Sequence, residues 1–195
     1  MDMTGEALIA APRERVYEAL NDVDILKQSI PGCEEIEKTS DTEMTAKVVV
    51  KVGPVKARFS GEVTLSDLDP PTGYTISGQG KGGPAGFAKG GAKVRLEASG
   101  SDTVLHYEVH AEVGGKLAQL GGRLIDGTAK KLAEQFFARF GEIVGAPEAE
   151  DNAGEAAMHS AKSTEQNLGK RFLPLILGAV VAVVAAIGAF LLLGR

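Results

Sequence analysis

Between Met44 and Val113 the chain repeatedly alternates apolar and polar residues with a period of two. Met44, Ala46, Val48, Val50 and Val52 fall on one face of a strand, opposite Lys47 and Lys51. After the turn signal Gly53-Pro54, the residues Val55, Ala57, Phe59, Gly61, Val63 and Leu65 repeat the pattern against Lys56, Arg58, Ser60, Glu62 and Thr64. Leu105, Tyr107, Val109, Ala111 and Val113 do so again. Such alternation belongs to antiparallel strands with one buried and one solvated face. Ahead of these strands, Pro12 opens a helical stretch with Val16, Ala19 and Leu20 on one side. A second short helical piece, Asp22–Ile30, ends at the turn Pro31-Gly32.

Further along, the period changes to that of a helix. Leu117, Leu120, Leu124, Leu132, Phe136, Phe140 and Ile143 form one stripe, with Lys130, Lys131, Glu134 and Arg139 largely off it. The predicted order is a strand, two short helices, a meander of strands and one long helix. A sheet with one apolar face needs a cover, and this helix is the element long enough to supply it. The predicted fold class is therefore α+β, a curved antiparallel sheet gripping a long C-terminal helix.

Two strands depart from the core pattern. The inward positions run Tyr74, Ile76, Gly78, Gly80, Gly82 in one, and Gly86, Ala88, Gly90, Ala92, Val94, Leu96, Ala98 in the other. Missing side chains leave either a cavity or a place where backbone approaches closely, and Gly121 and Gly122 on the covering helix suit the second account. The pattern alone leaves both open.

From Phe172 to Leu193 there are 22 consecutive uncharged residues. As a helix they extend about 33 Å, enough for a hydrocarbon core of about 30 Å. Pro174 falls in the first turn, where its missing N–H is harmless. Lys170 and Arg171 precede the run and Arg195 follows it, and MDMTGEALIA has no basic, apolar leader pattern. These features predict a single-pass C-terminal membrane anchor, with the domain facing the cytoplasm. Residues 145–171 between domain and anchor are acidic and lack aromatic residues, which predicts a flexible tether. Its 25-residue polar part, 145–169, has a mean reach of about 25–30 Å. The expected organisation is thus a domain over 1–144, a linker over 145–171 and a transmembrane segment over 172–193.

Composition removes some classes of function. Cys33 is the single cysteine, so no disulfide scaffold exists, and 26 acidic against 21 basic residues argue against nucleic-acid binding. Gly78-Gln79-Gly80-Lys81-Gly82-Gly83 matches the dinucleotide fingerprint, but a further strand follows it where a helix is required. His106 and His110 share a strand face with Cα atoms about 13 Å apart, too far to hold one metal. Cys33 has no nearby histidine in sequence and reads as a small apolar filler. A catalytic alternative would draw on Tyr107, Glu112 or Asp126, which no spacing singles out. The expectation is a non-enzyme with no covalent or metal cofactor.

Four segments in order carry a resemblance: SIPGCEEIE, GPVKARFSGEVTLSDLDPP, GQGKGGPAGFAKGGAKVRL and GGKLAQLGGRLIDGTAKKLAEQFFARF. Together they resemble the CoxG family, the G subunit of carbon monoxide dehydrogenase, over residues 2–144. That resemblance implies a START-like (SRPBCC) helix-grip domain, whose relatives hold apolar ligands between sheet and helix, and it favours the cavity. The candidates for lining such a cavity are Phe59, Leu65, Tyr107, Leu117, Leu120, Leu124 and Phe136, with Gly80, Ala88 and Gly90 making room. The resemblance also implies a partner, a molybdenum hydroxylase of the carbon monoxide dehydrogenase type, recruited to the membrane by a non-catalytic adaptor. A bound lipid or isoprenoid quinone (menaquinone or ubiquinone) follows from the same source. Two alternatives stand beside it: a quinone or lipid carrier that delivers electron acceptor to the enzyme, and a small START-like hydrolase or cyclase.

Overall fold

The computed structural model describes residues 1–145. The linker, bar its first residue, and the apolar run 172–193 lie outside the described residues. Among the described residues no helix is long and apolar enough to cross a membrane.

Seven antiparallel strands make one sheet: β1 (Asp2–Ile9), β2 (Cys33–Lys38), β3 (Glu43–Val52), β4 (Val55–Asp69), β5 (Gly73–Lys81), β6 (Phe87–Ser99) and β7 (Asp102–Gly114). Their order across the sheet is β1-β7-β6-β5-β4-β3-β2, so β2 to β7 form a meander and β1 closes onto its far edge. The two short helices α1 (Arg13–Ala19) and α2 (Val23–Ser29) connect β1 to β2, and α3 (Gly115–Ala118) and α4 (Gly122–Val144) follow β7. The alternation read from sequence matches the burial. Met44, Ala46, Val48, Val50 and Val52 of β3 and Phe59, Val63 and Leu65 of β4 are buried, while their polar neighbours face solvent. The register pairs Val48 with Phe59 and Leu65 with Ile76, so apolar side chains meet across strands on the covered face.

Local chemistry sets the turns. Gly53 takes φ +55, the left-handed conformation that lets a two-residue turn join Val52 to Val55. Asp22 caps α2 by accepting hydrogen bonds from the backbone N–H of Asp24 at 2.8 Å and Ile25 at 3.1 Å.

One expectation needs correction, and two points the pattern left open are decided. The helical stripe from Leu117 to Ile143 is not one helix. Gly121 stands at φ +86, outside helical geometry, and divides the stripe into α3 and α4. Cys33–Lys38, to which the pattern assigns no element, is the edge strand β2; its single buried residue, Ile36, is too little for a period to show. Gly121 and Gly122 do not bring a helix close to the sheet, since a Cβ at either would meet nothing within 4 Å.

The core is densest where α1 and α2 close one end of the grip. Tyr17, Leu20, Leu26, Ile76, Leu105, Phe136 and Phe140 are all essentially inaccessible there and under α4. Phe136 stacks on Phe140 with ring centroids 5.5 Å apart and meets Phe137 edge-on at 5.1 Å. The Arg15 guanidinium donates to the Val144 carbonyl at 3.0 Å, tying α1 to the end of α4.

Candidate functional site: the open end of the grip

α4 is covered unequally along its length. Ala129, Ala133, Phe136, Phe140 and Val144 are buried, whereas none of residues 122–128 is. A Cβ at Gly122 or Gly127 would meet nothing within 4 Å, so the first two turns stand clear of packed neighbours. The strands show the same gradient. Val55 and Ala57 at the start of β4 and Val113 near the end of β7 point to the covered face yet are only half-buried. Leu120, between α3 and α4, is half-buried as well. Val55 follows the turn whose Gly53 meets Leu124, Val113 lines a concavity with Gly122 and Ile125, and Leu120 precedes α4, so half-covered apolar side chains border the start of α4, the usual form of an entrance to an apolar site.

Concavities flank the first turns of α4 on both sides. One, of about 520 Å³, is bounded by Met1, His110, Glu112 and Val113 from the sheet side and by Ala118, Gly122, Ile125 and Asp126. The other, of about 400 Å³, lies between Lys51 and Gly53 of the β3–β4 turn and Arg123, Leu124, Gly127, Thr128 and Lys131. A third concavity, on the solvated face of β2 to β5, is lined by polar groups already engaged with one another, such as Lys47 with Glu35 at 2.5 Å and Gln79 with Glu62 at 3.3 Å.

The glycines of the strands answer to local packing. A Cβ at Gly90 would overlap the His110 carbonyl of β7, and one at Gly91 would stand 2.7 Å from the Ile76 carbonyl of β5. The neighbouring strands therefore approach β6 more closely than a side chain allows. Elsewhere an aromatic ring occupies the space a side chain would fill: the Phe59 ring lies over Gly82, Tyr107 over Gly5 and Phe87 over Gly114.

The residues expected to line a cavity do not form one ring. Phe59, Gly80 and Ala88 come together near the open end, where Gly80 faces Ala88 across the β5–β6 ladder. Leu117 is buried in the short helix α3, which packs against the turn Gly83–Ala85. Leu65, Tyr107 and Phe136 lie deeper. Tyr107 is half-buried and stacks on Phe137 with ring centroids 5.3 Å apart, and burial first, then the charge of Glu134, raises its hydroxyl pKa. Leu124 is 40% exposed and lies against Gly53 on the outer side of α4. Gly90 sits beside the β7 backbone as described. Val55, Ala57, Val113 and Ile125 belong to the open end, and sequence reasoning missed them there. Val55, Ala57 and Val113 were legible as inward positions, but their partial exposure depends on where α4 leaves the sheet.

Of the remaining polar groups, His110 stands on the rim of the first concavity. The Cys33 thiol is half-buried and its pKa is raised chiefly by burial, in keeping with a filler. His106 lies between Glu6 at 3.7 Å and Glu97 at 3.6 Å, and His110 pairs with Asp2 at 2.6 Å, all on the exposed surface. Among the described residues no group of three His, Cys, Asp or Glu side chains could hold a metal. The Tyr17 hydroxyl, in the closed end, is buried and finds no hydrogen-bond partner among the described residues, and burial raises its pKa.

The family model of CoxG, the G subunit of carbon monoxide dehydrogenase, matches residues 5–145. The chain belongs to this family. A conserved protein from Geobacillus kaustophilus shares 30% identity and superimposes with a TM-score of 0.70, over 74% of this chain and 95% of that one. A START superfamily protein from Mycobacterium smegmatis matches at 14% identity and TM-score 0.52, over 73% of this chain and 98% of that one. An aromatase/cyclase from Streptomyces matches at 14% identity and TM-score 0.52, over 74% and 93% of the two chains. The last two show a shared START-like fold and nothing of chemistry. Comparison with curated protein sequences returns no significant match. The matched unit makes up almost the whole of the Geobacillus chain.

Proposed function

We propose that this CoxG-family chain is a non-catalytic adaptor that recruits a molybdenum hydroxylase of the carbon monoxide dehydrogenase type to the inner membrane. The observation that carries the proposal is the family match over residues 5–145, joined to a sequence that continues into 22 uncharged residues. In this proposal the run 172–193 anchors the chain and the acidic linker gives the domain its reach. Confining adaptor and enzyme to one surface raises their effective concentration without any new contact. Deleting residues 172–195 is expected to move most of the partner enzyme from the membrane to the soluble fraction of lysed cells. An unchanged membrane fraction with the deleted chain stably expressed overturns the adaptor.

A second role is favoured by the open end of the grip. Its half-buried apolar rim of Val55, Ala57, Val113 and Leu120 suits an apolar ligand, a lipid or an isoprenoid quinone, that enters between sheet and helix. A carrier of this kind would deliver electron acceptor to the enzyme from the bilayer. The full chain, purified gently and extracted with organic solvent, is expected to release near-stoichiometric isoprenoid quinone or phospholipid by mass spectrometry. Extracts free of both, from protein that melts cooperatively, overturn the carrier and leave the adaptor standing.

A further inference from the structure

The β3–β4 turn and the first turns of α4 bring four cations together. Lys51, Arg123 and Lys131 line the concavity of about 400 Å³, all three exposed, and no acidic residue among the described ones lines it. Among the described residues none of the three is in an ion pair. The fourth, Lys56, stands directly opposite Lys51 in the β3–β4 ladder. Like charges placed opposite one another in a sheet destabilise it, so this pair is unfavourable unless an anion lies between or beside the two. It occurs in a chain whose net charge is −5, where general basicity explains nothing. One large apolar side chain, Leu124, lines the same concavity as these cations. Leu124 is 40% exposed, one of the few large apolar side chains so exposed, and it rests on the turn Gly53-Pro54.

Cations beside an exposed leucine suit an anionic bilayer surface: lipid phosphates pair with the cations, and the leucine sinks to the acyl boundary. We propose that this face, made by the β3–β4 turn and the start of α4, docks on anionic phospholipid membrane. The same turns of α4 border the open end of the grip, so docking here sets the half-buried apolar rim beside the bilayer. A ligand then passes between lipid and protein without crossing water. The face is independent of the tail: it lies in residues 1–145, and its test omits the apolar run.

Residues 1–145 are mixed with vesicles of phosphatidylcholine alone or with a third of phosphatidylglycerol, and the bound fraction is measured by flotation. Binding is expected with the anionic vesicles, to fall as salt is raised and to be near background with phosphatidylcholine. Lys51→Gln and Arg123→Gln are each expected to weaken it about five-fold, from the contribution of one basic residue near an anionic surface. Leu124→Ser, which changes no charge, is expected to weaken it as well. Lys93→Gln, exposed on β6 away from this face, is expected to leave binding unchanged. Melting curves establish that each variant is folded. Equal binding to both kinds of vesicle overturns the proposal, as does an absence of binding to either. A loss with Lys93→Gln as large as with Lys51→Gln also overturns it, because the attraction is then unspecific.

Discussion

Gly90→Leu is expected to destabilise residues 1–145 by about 3 kcal/mol, lowering the melting temperature by about 10 °C. The physical cause is backbone against side chain. A Cβ at Gly90 overlaps the His110 carbonyl oxygen and falls 2.9 Å from the Ala111 Cα, both in β7. A side-chain neighbour could rotate away, but a ladder carbonyl moves only if β6 and β7 separate. The effect therefore lies at the upper end of what overpacking costs. Gly90 has no positive φ, so strain of that kind does not enter. Ala88→Leu is the informative companion, because Ala88 is buried opposite Gly80, which has no side chain to displace. It is expected to change stability by about 1 kcal/mol or less, while lowering the ligand content of the full chain. A melting temperature for Gly90→Leu within about 2 °C of the parent would show that the two strands can part cheaply.

Phe136→Ala is expected to remove about 3–5 kcal/mol, measured by urea unfolding of the same residues. Phe136 is fully buried, stacks on Phe140 and meets Phe137 edge-on, so truncation leaves a void that two neighbouring rings line. Against a typical domain stability of about 5–15 kcal/mol, that is a third or more of the whole. The sequence reading counts this residue among the candidates for lining a ligand cavity. If its ring mainly faced a ligand space, alanine would cost the ligand-free domain little, about 1 kcal/mol or less. Unfolding midpoint and ligand content together separate the two roles: a large shift of the midpoint makes Phe136 part of the core that supports the grip.

The sequence alone was enough for the sheet and for the existence of a covering helix. Burial on one face imposes a period of two on Met44–Val52, Val55–Leu65 and Leu105–Val113, and a helix against that face must carry a stripe like Leu132, Phe136 and Phe140. Those are local consequences of a single core, so they are written in consecutive residues. Strand β2 was hidden because an edge strand with one buried residue has no period to show. The division between α3 and α4 was hidden because Gly121 inside an apolar stripe is compatible with a helix until its φ is known.

The meaning of the glycines needed the tertiary structure. Gly5, Gly82, Gly90 and Gly114 look alike in sequence. In the fold, three lie under aromatic rings and Gly90 abuts a carbonyl. Which of these holds depends on register and on the rotamer of a residue in another strand. Leu124 shows the same limit: its period placed it with Phe136, but α4 stands clear of the sheet at its start, so Leu124 is exposed on the outer side. The cluster of Lys51, Lys56, Arg123 and Lys131 was equally invisible, because a hairpin and a helix far apart in the chain meet only once the sheet has closed around α4. Periodicity reports whether a side chain is inside or outside its own element. Where two elements part, and what gathers at the gap, is decided by contacts between residues distant in sequence.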